Sequence, residues 1–144
     1  MKKAIVGMII VMLSVADVFA QPGPEHTWGL CIGIAAYDDL NLTLKWSDTD
    51  ASEFCKTFLK FTLNVPEDHY RILKNEDATH DGILDAFGWV AMRARRGDRV
   101  YLFYSGHGSE AELFVPYDSA YPLTLDEVRA AFSKIDADEV LVFT

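Results

Sequence analysis

The residues best suited to chemistry sit in "YSGHG", 104–108, where Ser105 and His107 follow an apolar run and Gly106 and Gly108 flank the histidine. A histidine titrates near neutral pH and can serve as a general base or acid. A peptide N–H beside it, such as that of Gly108, can donate to a developing oxyanion. The glycines permit unusual backbone angles and close approach of a substrate backbone. The same residues also describe a tight turn with a solvent-exposed imidazole, and alone they do not choose between the two. Asp50 is the second candidate, an acid near the start of a helical stretch. The two thiols, Cys31 and Cys55, are the only cysteines.

The elements that must position these groups follow from pattern. "WGLCIGIAAY", 28–37, reads as a continuous apolar strand covered on both faces. In "DTDASEFCKTFLKFTLN", Ala51, Phe54, Cys55, Phe58 and Leu59 recur at helical spacing, with Asp48 and Asp50 near the helix start and Pro66 closing the element. "HYRILK", 69–74, is a short second strand. Thr79 reads as the N-cap of a helix striped by Ile83, Phe87, Val90, Ala91 and Ala94 and ended by Gly97. The third strand spans Arg99 to Tyr104. Thr124 and Glu127 stand in capping-box register before a helix with Leu125, Val128 and Phe132 on one face. "EVLVF", 139–143, is the fourth strand.

Strands alternating with helices predict an α/β domain, a mostly parallel sheet with helices on both faces. Ser105, His107 and Gly108 then lie at the carboxyl edge of the third strand, and Asp50 lies near that of the first. Ligands bind at that edge of an open parallel sheet.

Composition narrows the class. Half of the 144 residues are hydrophobic, enough for one core, and 22 acidic side chains outweigh 13 basic ones. No basic stripe points to nucleic acid or an anionic membrane. The one basic cluster, Arg93–Arg96, falls at a helix end, where cations complement the dipole and cap carbonyls. Residues 1–20 have a Lys-Lys start, a short apolar core and "VFA" at the end. They read as a secretory signal peptide cleaved after Ala20, leaving a domain over 21–144 in the periplasm or outside the cell, with no membrane span. Cys31 and Cys55 could pair in that oxidising compartment. Their apolar strand-like and helix-like settings favour two buried free thiols instead. No CxxC, His-rich or EF-hand-like run is present, so no metal or other cofactor is expected, and a response to calcium stays open.

The ordered pieces "GLCIGIAAY", "LKWSDTDASEF", "ATHDGILDAF", "GDRVYLFYSGHG" and "LFVPYDS" resemble the caspase-like cysteine peptidases, the group of caspases, metacaspases and their bacterial relatives. The resemblance runs over nearly all of 28–144. It implies that His107 is the catalytic histidine and that the Gly108 amide is one oxyanion donor. It implies further that Asp50 and Ser105 belong to the specificity pocket. An acidic pocket implies a polypeptide substrate cleaved after Lys or Arg. Residue type alone also allows Asp50 as a helix-start acid and Ser105 as a turn residue.

The family's nucleophile is a cysteine just beyond the fourth strand, here past Thr144. On that resemblance the chain is the N-terminal part of a peptidase domain, interrupted after its fourth core strand, inactive by itself and with an uncovered apolar sheet edge. The alternative is a non-catalytic pseudopeptidase or interaction module of the same fold. A serine hydrolase lacks support, because no GxSxG elbow is present. Physiological substrate and oligomeric state are not encoded in any motif.

Overall fold

Apolar residues at consecutive positions of a strand point to opposite faces, so each such strand needs a cover on both sides. The computed structural model describes residues 22–108 and 114–144, and supplies both covers. The leader expected over 1–20 lies outside the described residues. Four strands, β1 (Thr27–Gly33), β2 (Tyr70–Lys74), β3 (Arg99–Ser105) and β4 (Glu139–Phe143), form one sheet in the order β2-β1-β3-β4. Every pairing is parallel.

The period-two alternation sorts the core into two layers. Leu30 and Ile32 of β1, with Val100, Leu102 and Tyr104 of β3, pack against α2 (His80–Arg93) and α3 (Leu125–Phe132) through Ile83, Phe87, Val90 and Val128. Cys31 and Tyr101 face the other way. There they meet α1 (Ser47–Glu53) and its π-helical continuation over Phe54–Thr62 through Ala51, Cys55 and Leu59. Those three residues recur every fourth position. The wider turn, seen where the Leu63 amide reaches the Phe58 carbonyl five residues back, suits that step better than a 3.6-residue helix.

Local capping set the helix starts. Thr79 accepts from the Gly82 amide, and Thr124 and Glu127 complete a capping box. Each such cap is worth about 1 kcal/mol.

The structure corrects four readings. The first strand stops at Gly33 rather than running to Tyr37, because the Asn75 side chain takes the Ala35 and Ala36 amides out of the ladder. Helix α2 closes at Arg93, not at Gly97. The Arg95 guanidinium caps the Met92 and Ala94 carbonyls, and Gly97, at φ +92°, serves the turn into β3. On α3 the buried face is Val128 and Ala131, while Leu125 is exposed and Phe132 half-buried. The cysteines are buried as expected but are not free thiols. Cys31 and Cys55 form a disulfide, their Cα atoms 6.4 Å apart, because the π-helical continuation of α1 lies over β1. β4 is an edge strand, with Val142 and Phe143 exposed on it.

Candidate functional site

In a sheet ordered β2-β1-β3-β4, the chain leaves β1 toward one side and leaves β3 toward the other. The loops after these neighbouring strands therefore part, and a crevice opens between them at the carboxyl edge. Every residue singled out as a candidate from the sequence belongs to this edge. Ser105 closes β3 opposite Gly33, and its carbonyl accepts from the Ile34 amide at 2.9 Å.

Gly33 is what lets α1 reach the site. A Cβ there would fall inside contact distance of the Ser47 carbonyl oxygen and 2.7 Å from Ala51 Cβ. With no side chain in the way, the first turn of α1 crosses the end of β1 and carries Asp50 over β3. The Ser105 hydroxyl donates to Asp50 Oδ2 at 3.3 Å. Asp50 is thus both an acid in the first turn of a helix and the partner of Ser105, with its carboxylate exposed.

His107 is half-buried and held at three points. Its Nε2 lies 2.8 Å from the Leu42 carbonyl oxygen. A carbonyl only accepts, so Nε2 carries the proton and the lone pair is left on Nδ1, the tautomer a general base requires. Its amide donates to the Tyr37 hydroxyl at 2.8 Å, and its carbonyl accepts from the Tyr104 hydroxyl at 2.6 Å. The Tyr37 ring also packs against the imidazole, centroids 5.2 Å apart. Burial above all, together with the neighbouring Tyr37 hydroxyl, pushes the Tyr104 phenol well above its usual range, so it stays protonated.

Leu42 is presented by a short turn over Leu40–Leu42, capped by the Asp39 carboxylate. Next to it, Asp38 ties this loop to the segment after β3 by accepting from the Ser119 hydroxyl and amide. Those bonds hold its carboxyl below the usual value.

Beside these groups a cavity of about 540 Å³ is lined by Phe103, Tyr104, Ser105, Gly106, Gly108 and Thr144. It joins the Gly108 backbone, the Ser105 wall and the end of β4 in one space. Among the described residues no group of three or more His, Cys, Asp or Glu side chains converges as a metal-ligand set, and no helix is long and apolar enough to cross a membrane.

The structure brings Asp50 to Ser105, and Ser105, Gly108 and the His107 loop to one edge. Neither cysteine belongs there as a thiol, since both are fully buried in the disulfide. Sequence reasoning missed Leu42, Tyr37 and Tyr104. Leu42 acts through its backbone, which carries no residue signature, and Tyr37, four residues past the end of β1, and Tyr104, next to the end of β3, meet only in the folded chain.

Comparison with known proteins places the fold. The family model described as "Caspase domain" matches residues 26–142. A search of curated proteins returned no match. Among solved structures, the crystal structure of a protein from Geobacter sulfurreducens superposes with a TM-score of 0.64 at 25% identity. The match covers 82% of this chain and 49% of that one, so this chain spans about half the length of that relative.

Proposed function

The chain belongs to the caspase-domain family of peptidases, and on that premise we propose that it forms the histidine-bearing part of an exported cysteine endopeptidase. The observation that carries the reading is the His107 imidazole, pinned through Nε2 to the Leu42 carbonyl at the sheet edge with Nδ1 left to take a proton. In this reaction a thiol gives its proton to His107 and its sulfur attacks the scissile carbonyl. The Gly108 amide donates to the resulting oxyanion. His107 then returns the proton to the leaving amine, and water hydrolyses the thioester.

The thiol comes from outside these 144 residues. Both cysteines of the chain are bound to each other and fully buried, so neither supplies a thiolate. Thr144 lines the cavity beside the His107 loop, so the end of β4 borders the space in which a nucleophile would act. The exposed Asp50 carboxylate on Ser105 supports cleavage after Arg or Lys, whose cation it would pair. Export through the 1–20 leader is supported by the disulfide, which persists in oxidising compartments.

The test is hydrolysis of peptide reporters ending in Arg, Lys, Asp or Leu by the protein expressed from the whole gene. Arg and Lys reporters are expected to be cut, and His107→Ala to abolish cutting. Undiminished hydrolysis in that variant would refute the assignment. The absence of any free thiol in the chain favours a second reading, a non-catalytic interaction module of the same fold. That reading requires no reporter to be cut by the whole protein.

A further inference from the structure

Two phenols that no peptidase step uses surround His107. Tyr37 and Tyr104 are both nearly fully buried, one just past β1 and the other in β3. Their hydroxyls meet the two backbone polar groups of a single residue. The His107 amide donates to Tyr37 at 2.8 Å, and Tyr104 donates to the His107 carbonyl at 2.6 Å. The Tyr104 hydroxyl also reaches the Val115 carbonyl at 3.0 Å, so its one proton is shared between the two carbonyls on either side of the loop. Tyr104 further accepts from the Val115 amide at 3.2 Å, and Val115 donates to the His107 carbonyl at 3.0 Å, which ties the far side of the loop into the same cluster.

The identity of Gly106 follows from the same arrangement. Its φ is not in the left-handed region, so conformational freedom does not explain the glycine. A Cβ there would lie 2.5 Å from the Tyr104 hydroxyl and 2.8 Å from that of Tyr37. The glycine is required because both phenol tips sit directly beneath it.

We propose that Tyr37 and Tyr104 are positioning residues that clamp the backbone of His107, so that its imidazole keeps the Nε2–Leu42 contact and the Nδ1 lone pair needed of a base. Buried hydrogen bonds that converge on one residue polarise one another and resist rearrangement more than isolated bonds do. A clamp on both backbone groups leaves the residue little freedom except about its side-chain torsions, and Leu42 fixes those. The proposal rests on His107 being the base of the peptidase reading. It makes a claim about geometry, however, that is tested without peptide cleavage.

The experiment is NMR on the isotope-labelled chain, comparing wild type with Tyr37→Phe, Tyr104→Phe and, as control, the exposed Tyr121→Phe. Three signals are read: exchange of the His107 amide, the His107 Nε2 proton, and the imidazole titration curve. In wild type the His107 amide is expected to be protected and the Nε2 proton visible. Tyr37→Phe leaves that amide buried without an acceptor, and its exchange should quicken by about tenfold or more. The Nε2 proton should broaden and the titration midpoint move, while the Leu102 amide in the middle of β3 keeps its protection. The control should change nothing.

A phenol with a merely structural role predicts equal loss at His107 and Leu102, and that outcome overturns the proposal. So does an unaltered imidazole in both variants. If neither variant folds, the wild-type measurement decides: a His107 amide exchanging like an open loop amide refutes the clamp, and a protected one supports it. Lack of hydrolysis by the whole protein would refute the function while leaving these signals as they are.

Discussion

The Cys31–Cys55 disulfide offers the sharpest quantitative test, because its effect can be worked from its place in the chain. The perturbation is reduction of that one bond, with both sulfurs left in the protein. The bond closes a loop with a sequence separation of 24. In the chain-entropy account a loop of that length restricts the unfolded ensemble by about 3.5 kcal/mol. Domains of this size are stable by only about 5–15 kcal/mol, so the bond is a large share of the total. In temperature it corresponds to a fall of about 12–15 °C in Tm. Both sulfurs are fully buried, so the bond is out of reach of a reductant in the folded protein. The comparison therefore needs chain unfolded in reductant and refolded with reductant present, set against chain never reduced. Urea denaturation followed by tryptophan fluorescence should give a lower midpoint for the reduced form. Alkylation of the denatured, unreduced chain should modify no thiol. Equal midpoints for the two forms would show that the link does not restrict the unfolded chain as argued. Two alkylated thiols in the unreduced sample would show that there is no link.

Two further outcomes follow from other parts of the fold. The His80 imidazole is held above its ordinary pKa chiefly by Asp81, with Glu127 of α3 adding to this against the effect of burial. A raised folded pKa contributes stability that is fully present below the unfolded value and is lost as pH rises through the folded one. His80→Gln should therefore lower Tm at about pH 6 and much less at about pH 9, and a pH-independent difference would contradict this. Gly33→Ala puts a methyl group against the Ser47 backbone, which cannot yield as a side-chain tip does. A loss of about 1–3 kcal/mol in urea denaturation is expected, and an unchanged midpoint would refute the close crossing of α1 over β1.

How much of this was legible before the fold was known depended on the range of each signal. Thr79 and Thr124 announce their helices because a cap is satisfied within three residues, and the chain carries that information locally. The alternation of Leu30, Cys31 and Ile32 between two cores follows from the period of a strand. His107 was legible only in the company of its ordered neighbours, since a histidine between glycines is as good a turn as a site. The pairing of Cys31 with Cys55 was misread, because a spacing along the chain does not say whether a helix will lie over a strand. Asn75 ends β1 from 40 residues away, with its own backbone at φ +45°, and no local pattern announces that. The Leu42 carbonyl was illegible in principle, because every residue has one.

The sheet order described above also has a consequence for the birth of the molecule. No two strands that are adjacent in space are joined by a hairpin, and the central ladder sets Thr27 against Arg99 and Gly33 against Ser105. While the chain is being made, β1 must wait until some 70 further residues have appeared before its central partner exists. Sheets that depend on such distant partners fold slowly and leave their central strand unpaired in the interval. The disulfide lies inside that interval, joining β1 to the helix that follows it well before β3 arrives. Its earliest service is therefore temporal, keeping an apolar strand covered on one face until the rest of the sheet has been delivered.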